Sequence, residues 1–190
     1  GPRLLSALPQ TLSEKARRQL EKLGVEVRID TAVTAIDDDG FMLGAERIAA
    51  RTVLWAAGVA ASPLGRTLGV ALDRAGRVAA NPDLSVPGHP DIYVAGDLAA
   101  LTQNGKSIPG VAHAAKQMGA YVAKAIRAKL ANRSIAPFRY RDQGSLATIG
   151  RGAAVADLGR VYLSGLPAWW FWLGIHIFFL IGFRNRLIVL

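Results

Sequence analysis

DIYVAGDLAAL, residues 91–101, is the stretch of sequence that decides the fold. Its first part, from Ile92 to Ala95, is an apolar run typical of a buried strand. The run stops at Gly96-Asp97, after which small residues favour a helix. In open α/β sheets, ligands bind beyond the carboxyl ends of the strands, and a glycine there lets a ligand approach the backbone closely. We therefore predict a ligand site at this strand end.

Asp97 is the candidate ligand-binding side chain at that site. An ionised carboxylate only accepts hydrogen bonds, so its natural partner is a polyhydroxyl chain such as ribose or ribitol. The dipole of a following helix would stabilise its charge. Taken alone, the residue also fits a plain helix N-cap, and both interpretations stay open at this level.

Composition excludes several classes of protein. The chain has 190 residues, of which 51% are hydrophobic, and this excludes a disordered tail. It has no cysteine, which excludes disulfides, thiolate metal ligands and cysteine nucleophiles, and fits a reducing compartment. The three histidines, His89, His113 and His176, lie too far apart for metal-ligand spacing, so no metal is predicted.

Charge is distributed unevenly along the chain. Residues 1–100 carry 11 Lys and Arg against 12 Asp and Glu, whereas residues 101–190 carry 12 Lys and Arg against Asp142 and Asp157. A basic half can indicate nucleic acid, an anionic membrane surface or a solvated face. The basic residues are scattered and the aromatic residues lie in an apolar run, so a nucleic-acid partner is not predicted.

Hydrophobic periodicity predicts alternating helices and strands in the first half. Residues 10–23 have a helical apolar face, a capping box that begins at Thr11 and a stop at Gly24. Residues 25–29 alternate at the strand period. Residues 31–43 resemble a hairpin that turns at Asp39-Gly40, with residues 47–50 as a further short strand. The apolar run over residues 51–58 predicts another strand, and the Gly- and Pro-rich residues up to Pro90 predict a connection.

A long helix and a hairpin are predicted in the second half. The helix runs from Pro109-Gly110 to about Ala131, and residues 138–165 contain short apolar runs separated by glycines, typical of a hairpin. The side of the helix expected to pack consists of Ala112, Ala115, Gly119, Val122, Ile126 and Leu130.

The last segment, residues 166–183, is apolar except for His176 and is slightly shorter than the roughly 20 residues that span a bilayer. It could span a membrane, lie at its interface or pack against its own protein. An interfacial or partly buried helix is favoured, because aromatic and basic residues suit the water–lipid boundary and the basic half would bind anionic lipid. These boundary residues are Trp169, Trp170, Trp172, Arg184 and Arg186.

Five segments together carry a resemblance to a known family. An apolar strand ending in Ala-Gly, a turn-rich connection and a strand ending in Gly-Asp are similar to the two-dinucleotide-domain flavoproteins. Within them, the combination resembles the type II, non-proton-pumping NADH:quinone oxidoreductases over nearly the whole chain. The segments are VTAIDDDG (33–40), VLWAAGVAASPLG (53–65), DRAGRVAANPDLSVPGHPDIYVAGD (73–97), TIGRGAAVA (148–156) and HIFFLIGFRNRLIVL (176–190).

The resemblance implies an α/β fold: a partial two-dinucleotide-binding-domain, Rossmann-like flavoprotein with a C-terminal β-hairpin and an apolar membrane-associated helix. Residues 1–58 would belong to the NAD(H)-binding domain, residues 59–90 to the connection, residues 91–133 to the FAD-binding domain, and residues 134–190 to the C-terminal hairpin and membrane-associating segment.

The resemblance also implies that the chain is a fragment. The two Gly-rich fingerprints of the family and its C-terminal continuation do not occur in the sequence, so weak or no FAD binding is expected from this chain alone. One imitation, Gly150 to Ala154, lacks an acidic residue about 20 positions downstream and is predicted to be a turn between strands.

The activity implied by the resemblance is FAD-dependent transfer of electrons from NADH to a membrane quinone without proton pumping. The family has Ala-Gln-x-Ala-x-Gln where this chain has AHAAKQ, so His113 departs from the pattern. It could bind the flavin or quinone, supply a proton, or be a partly exposed helix residue; no other catalytic residue is predicted. The implied site residues are Gly96, Asp97, Ala112, His113 and Ala114 for FAD, Gly58 and Val59 for NAD, and Gln117, His113 and Ile149 for quinone.

The implied partners are a quinone and an anionic membrane surface, with the enzyme peripheral on the cytoplasmic face and a homodimer allowed. Two alternatives remain. Another two-domain FAD/NAD(P) reductase, such as a ferredoxin or disulfide reductase, would not need the apolar tail. A non-enzymatic membrane-binding module would have no use for Gly96-Asp97 at a strand end.

Overall fold

Residues 1–179, which the computed structural model describes, form helices and short strands. In chain order these are α1 (Gln10–Lys22), β1 (Val33–Asp37), β2 (Gly40–Leu43), β3 (Glu46–Ala49), β4 (Val78–Ala79), β5 (Ser85–Val86), β6 (His89–Tyr93), β7 (Ala99–Ala100), β8 (Thr102–Gln103), β9 (Lys106–Ser107), α2 (Ala112–Leu130), β10 (Ser145–Gly150), β11 (Ala153–Asp157), β12 (Tyr162–Ser164) and α3 (Leu166–Phe179). They belong to two compact units: the first combines Gly1–Trp55 with the chain from Gln143 onward, and the second is Ala56–Asp142.

Helix α1 of the first unit covers the predicted residues but begins with a different N-cap. The Pro9 carbonyl accepts hydrogen bonds from the N–H groups of Leu12 and Ser13, at 3.0 and 3.1 Å. The predicted capping box was wrong, because Pro9 is the N-cap and Thr11 therefore lies inside the first turn. Gly24 ends the helix as predicted, with a φ of +83° that favours glycine.

An antiparallel sheet of β10, β11 and β12 covers the buried side of α1. Leu12 and Ala16 are fully buried and cluster with Val155 of β11. Gly150 pairs with Ala153, so the intervening residues form the tight turn between strands that was predicted. The second small sheet of this unit is the meander β1–β2–β3. Its first turn lies one residue earlier than predicted, because Asp37 pairs with Gly40.

Two predicted strands, over residues 25–29 and 51–58, were wrong. Neither run pairs with a strand among the described residues. Leu54 and Trp55 are 88% and 65% exposed. An apolar run becomes a strand only where another backbone satisfies its N–H and C=O groups, and here none does.

The second unit has a core of aliphatic side chains between short strand pairs and α2. Its buried members include Val78, Leu84, Val86, Val94 and Met118. The helix predicted directly after Asp97 was wrong: a single 3-10 turn, Gly96–Leu98, leads into β7. Ala99 and Ala100 pair in parallel with β4, and this pairing ends the turn.

Helix α2 has the predicted extent but packs on a different side. The buried residues are Ala114, Met118 and Ala125, whereas Leu130, expected in the core, is exposed. Alanine and glycine occur on several faces of this helix, so the apolar stripe in its sequence was ambiguous. The side of α2 that faces the core is the side that carries Met118.

Helix α3 packs on the sheet of the first unit through a small contact. Ala168 is buried with Ala154 and Ala156, and Trp169 packs against this cluster. No helix within residues 1–179 is both long enough and apolar enough to cross a membrane. The end of the predicted apolar segment, with Arg184 and Arg186, lies outside the described residues.

Candidate functional site

Gly96, which follows β6, packs against α2 and is hydrogen-bonded to it. Gly96 has a φ of +68°, which side chains rarely adopt. A Cβ on Gly96 would lie 3.3 Å from Cβ of Ala115 on α2. The Gly96 N–H donates to Sδ of the buried Met118 at 3.3 Å. The close approach predicted for Gly96 is therefore made to α2, and it brings Asp97 to the beginning of that helix.

The Asp97 carboxylate is exposed and accepts no hydrogen bond from the residues that the structure describes. It is not an N-cap, because Ala95 holds that position in the 3-10 turn. A Cβ on Gly110 would lie 3.2 Å from Asp97 Oδ1, so a side chain there would crowd the carboxylate. An acceptor left open beside a glycine fits a hydroxyl-bearing ligand such as the ribityl chain of FAD.

The N-terminus of α2 offers free backbone donors. Val111 is the N-cap but provides no side-chain cap, and the first turn contains no acidic residue. The first α-helical bond joins the Ala115 N–H to the Val111 carbonyl at 3.1 Å. The N–H groups of Ala112, His113 and Ala114 have no acceptor among the described residues. Such a terminus favours negative charge on a ligand.

His113 lies against an aromatic side chain that the sequence analysis missed. Its ring stacks on Tyr140, with ring centroids 5.7 Å apart and planes 19° from parallel. His113 Nε2 and the Tyr140 hydroxyl are hydrogen-bonded to each other. Burial raises the pKa of Tyr140, and the nearby Asp142 carboxylate raises it further. The hydroxyl therefore keeps its proton at neutral pH.

The Gln117 side chain bonds to the backbone after Tyr140. Its Nε2 donates to the Arg141 carbonyl at 2.8 Å, and its Oε1 accepts from the Arg141 N–H at 2.9 Å. Gln103 makes the equivalent pair of bonds to Tyr140: its Nε2 donates to the Tyr140 carbonyl at 3.0 Å, and its Oε1 accepts from the Tyr140 N–H at 2.8 Å. The second unit thus brings Asp97, the start of α2, His113 and Gln117 to neighbouring positions.

The other predicted ligand residues are not joined to this cluster by any described contact. Gly58 has a φ of +108° with open space around it, and Val59 is exposed. Ile149 belongs to the first unit, where it packs against the cluster of Leu8 and Leu12. Their predicted roles toward NAD and quinone stay predictions.

The tryptophans of α3 differ in their surroundings. Trp170 is 59% exposed and Trp172 is half-buried, with its ring 4.3 Å from that of His176. Phe178 and Phe179 are exposed as well. Helix α3 therefore exposes several aromatic side chains.

No group of acidic, histidine or cysteine residues within residues 1–179 could hold a metal ion.

Sequence reasoning missed Gln103, Gly110 and Tyr140. Tyr140 lies in FRYRD, whose alternation was interpreted as a strand. The segment belongs to no strand, and the backbone of Tyr140 and Arg141 bonds to glutamine side chains instead. Its signal was an aromatic residue two positions from the buried Phe138, which predicts a shared side of an extended chain.

The chain belongs to the pyridine nucleotide-disulphide oxidoreductase family, whose model matches residues 1–119. A second model, the NDH2 C-terminal domain, matches residues 143–190. These matches confirm the α/β fold class that the family resemblance implied.

The similar curated proteins define a narrower group. Two of them are the type II NADH:quinone oxidoreductases Ndh and NdhA of Mycobacterium tuberculosis, which are 43% and 42% identical to this chain. In both cases the match covers 100% of this chain and 43% of the relative. The predicted resemblance to type II NADH:quinone oxidoreductases is thus confirmed, and the chain spans less than half the length of these relatives.

A solved structure has the same fold. NDH2 from Plasmodium falciparum in complex with NADH matches with a TM-score of 0.82 at 19% identity, over 98% of this chain and 54% of that one. A NAD-dependent persulfide reductase from A. fulgidus matches with a TM-score of 0.66 at 21% identity, over 81% and 29%. At these identities the likeness supports the fold and no particular substrate.

Proposed function

We propose that this chain forms the C-terminal part of a FAD-dependent enzyme that passes electrons from NADH to a membrane quinone. The observation that carries the proposal is the open Asp97 carboxylate beside Gly110 at the start of α2. The names of the M. tuberculosis relatives support the choice of NADH and quinone as substrates. In this assignment residues 1–58 belong to the nucleotide domain and residues 91–133 to the FAD domain, with residues 59–90 between them and residues 134–190 as the C-terminal segment.

The residues around Asp97 fit the flavin by their chemistry. FAD, when bound, supplies the chemistry of hydride acceptance and onward electron transfer. Asp97 would accept hydrogen bonds from ribityl hydroxyls, because Gly110 leaves its carboxylate uncrowded and Gly96, held against α2, fixes its position. The free N–H groups of Ala112, His113 and Ala114 would stabilise negative charge on the ring.

Roles at the substrate sites are proposed for five residues. Gly58 and Val59, open and exposed, would lie along the nicotinamide nucleotide. Gln117 would belong to the quinone site, where one of its N–H groups and one lone pair are engaged by the Arg141 backbone. Ile149 would contribute an apolar contact to the quinone. His113 would hold a proton between Nε2 and the Tyr140 hydroxyl, close to the reacting groups.

Access to quinone requires contact with lipid. We propose that α3 lies at the membrane interface, because it exposes Trp170, Phe171, Phe178 and Phe179. Arg184 and Arg186 would bind anionic headgroups in this arrangement. The enzyme would then be peripheral, on the cytoplasmic face where NADH is available, as a monomer or homodimer.

The test is replacement of Asp97 with Ala in a protein of full family length that carries this chain. The wild type should purify with FAD and oxidise NADH with a soluble quinone. Asp97→Ala should bind FAD roughly 10- to 100-fold more weakly, because hydrogen bonds to a charged acceptor contribute roughly 1.5–3 kcal/mol. FAD affinity is measured by titrating the apoprotein and following flavin fluorescence.

The matched control is Asp38→Ala, which removes an exposed carboxylate from the β1–β2 turn of the first unit. It should leave FAD affinity unchanged. Equal FAD affinity in the wild type and Asp97→Ala, or a wild type without NADH:quinone activity, would contradict the proposal.

A further inference from the structure

We propose that residues 136–142 form a strap that positions Tyr140 against His113, and that Gln117 serves the site chiefly by clamping this strap. The inference rests on the proposed function, since it assigns the work of His113 to the flavin and quinone site. It makes Tyr140, Gln103 and Gln117 positioning residues that act through His113.

The strap is held by side chains instead of by a neighbouring strand. Gln103 and Gln117 each make two hydrogen bonds to its backbone, at the consecutive residues Tyr140 and Arg141. Each amide thus imitates the N–H and C=O pair of a strand partner. Since consecutive residues of an extended chain offer their backbone groups on opposite edges, the two glutamines hold the strap from both edges.

The start of the strap is anchored in the core of the second unit. Phe138 is buried and its N–H donates to the Pro82 carbonyl at 2.8 Å. The Phe138 ring meets Tyr121 edge to face, with centroids 5.5 Å apart, and the Tyr121 hydroxyl donates to the Ala136 carbonyl at 2.8 Å. Phe138 and Tyr140 are two residues apart, so the anchor directs Tyr140 to the same side.

Tyr140 then determines how the His113 ring can act. The stacked rings and the bond from Nε2 to the hydroxyl leave Nδ1 of His113 as the ring nitrogen for another partner. The charged group that acts on the Tyr140 hydroxyl is the Asp142 carboxylate at the end of the strap. Strap and helix together therefore fix an imidazole at the first turn of α2.

The two clamps allow a sharp experiment, because their hydrogen bonds are equivalent. Gln117 occupies the position predicted to contact quinone, whereas Gln103 lies on β8, where no ligand contact is predicted. If Gln117 acts by clamping, Gln103→Ala and Gln117→Ala should have the same effects. If Gln117 acts by touching quinone, only Gln117→Ala should alter quinone kinetics.

Both variants are to be made in the full-length holoenzyme, with Tyr140→Phe as a third. In each glutamine variant, backbone exchange with deuterium in the peptide that covers residues 136–142 should quicken about tenfold, since two clamping bonds are lost. Quinone KM should rise by a similar factor, roughly fivefold, in both glutamine variants and in Tyr140→Phe, while the KM for NADH and the FAD content stay unchanged.

Gln143→Ala is the control, because Gln143 is exposed, follows the strap directly and makes no hydrogen bond to a described residue. It should match the wild type in exchange and kinetics. The inference is overturned if Gln117→Ala raises the quinone KM while Gln103→Ala does not, or if neither variant changes exchange in the strap. Exchange decides the clamp even if the proposed quinone activity fails, because it needs no substrate.

Discussion

At the scale of single residues, two glycines of the first unit share a backbone conformation but differ in their surroundings. Gly144 and Gly159 have φ values of +89° and +80°. A Cβ on Gly144 would lie 2.3 Å from the Asp157 carbonyl oxygen, whereas a Cβ on Gly159 would meet nothing within 4 Å. Replacing each glycine with alanine therefore distinguishes two costs in stability: that of a left-handed backbone at both positions, and that of a steric clash at Gly144 alone.

Gly159→Ala should lower the free energy of unfolding by about 1–2 kcal/mol, the cost of a left-handed residue with a Cβ. Gly144→Ala should lower it further, because Asp157 belongs to β11 and its carbonyl cannot move without opening the β10–β11 pair. Urea denaturation of both variants and the wild type measures this difference. Equal losses would show that the sheet edge yields freely at Gly144.

The prediction from sequence succeeded at the residue scale where a single residue type imposes the geometry. The turn residues Gly24 and Gly96 have positive φ, and the open carboxylate of Asp97 lies at the end of a strand, as the Gly-Asp pair indicated. Tyr140 was not predicted as a site residue. Its partner His113 is 27 residues away, and periodicity carries no information about such a pairing.

At the scale of elements, α2 connects the core to the candidate site. Met118 is 2% exposed, and its sulfur also accepts the Gly96 N–H. The next residue, Gly119, is exposed, with open space where a Cβ would be. Met118 thus contacts Gly96, the residue before Asp97, while Gly119 on the same turn faces open space.

Met118→Ala should lower the free energy of unfolding by about 2–5 kcal/mol, because it leaves a cavity in the core. It should also weaken FAD binding, since the Gly96 N–H loses its acceptor and Asp97 loses its fixed position. Gly119→Ala, the neighbouring control, should leave stability unchanged or raise it by about 0.5–1 kcal/mol. Thermal unfolding and flavin titration give the two measurements, and equal stability of Met118→Ala and Gly119→Ala would contradict the packing described for α2.

Element prediction worked for α1, α2 and the hairpins, and failed for the helix expected after Asp97 and for isolated apolar runs. Helix α2 and the hairpin β10–β11 depend on local bonds, so their sequences suffice to specify them. The runs over residues 25–29 and 51–58 depend on a partner strand, and no described residue pairs with them. The packed side of α2 was predicted wrongly because alanine and glycine occur on several faces of this helix, so the sequence does not single out one of them.

At the scale of the whole molecule, the exposed aromatic residues of α3 bear on the proposed attachment to a membrane surface. Trp170→Ala should lower binding to anionic lipid vesicles roughly tenfold, since burying a large apolar side chain is worth about 1.5–3 kcal/mol. Trp55→Ala is the control, because Trp55 is equally large and exposed but lies outside α3. Vesicle co-sedimentation measures both variants; equal loss from the two would mean that α3 has no special part in binding lipid.

The family membership itself was predictable because it rests on several segments in a fixed order, and errors in single elements do not disturb that order.

The arrangement of the first unit has a consequence for biosynthesis. Leu12 and Ala16 of α1 are covered by Val155, and the Gln19 side chain donates to the Ala154 carbonyl, 135 positions further along the chain. A ribosome that adds roughly 5–20 residues per second needs about 7–27 seconds to cover that distance. The second unit is continuous in sequence and can fold during this interval. The apolar side of α1 stays exposed to solvent until β11 has been synthesised. The nascent chain should therefore need a chaperone most during the interval between the synthesis of α1 and that of β11.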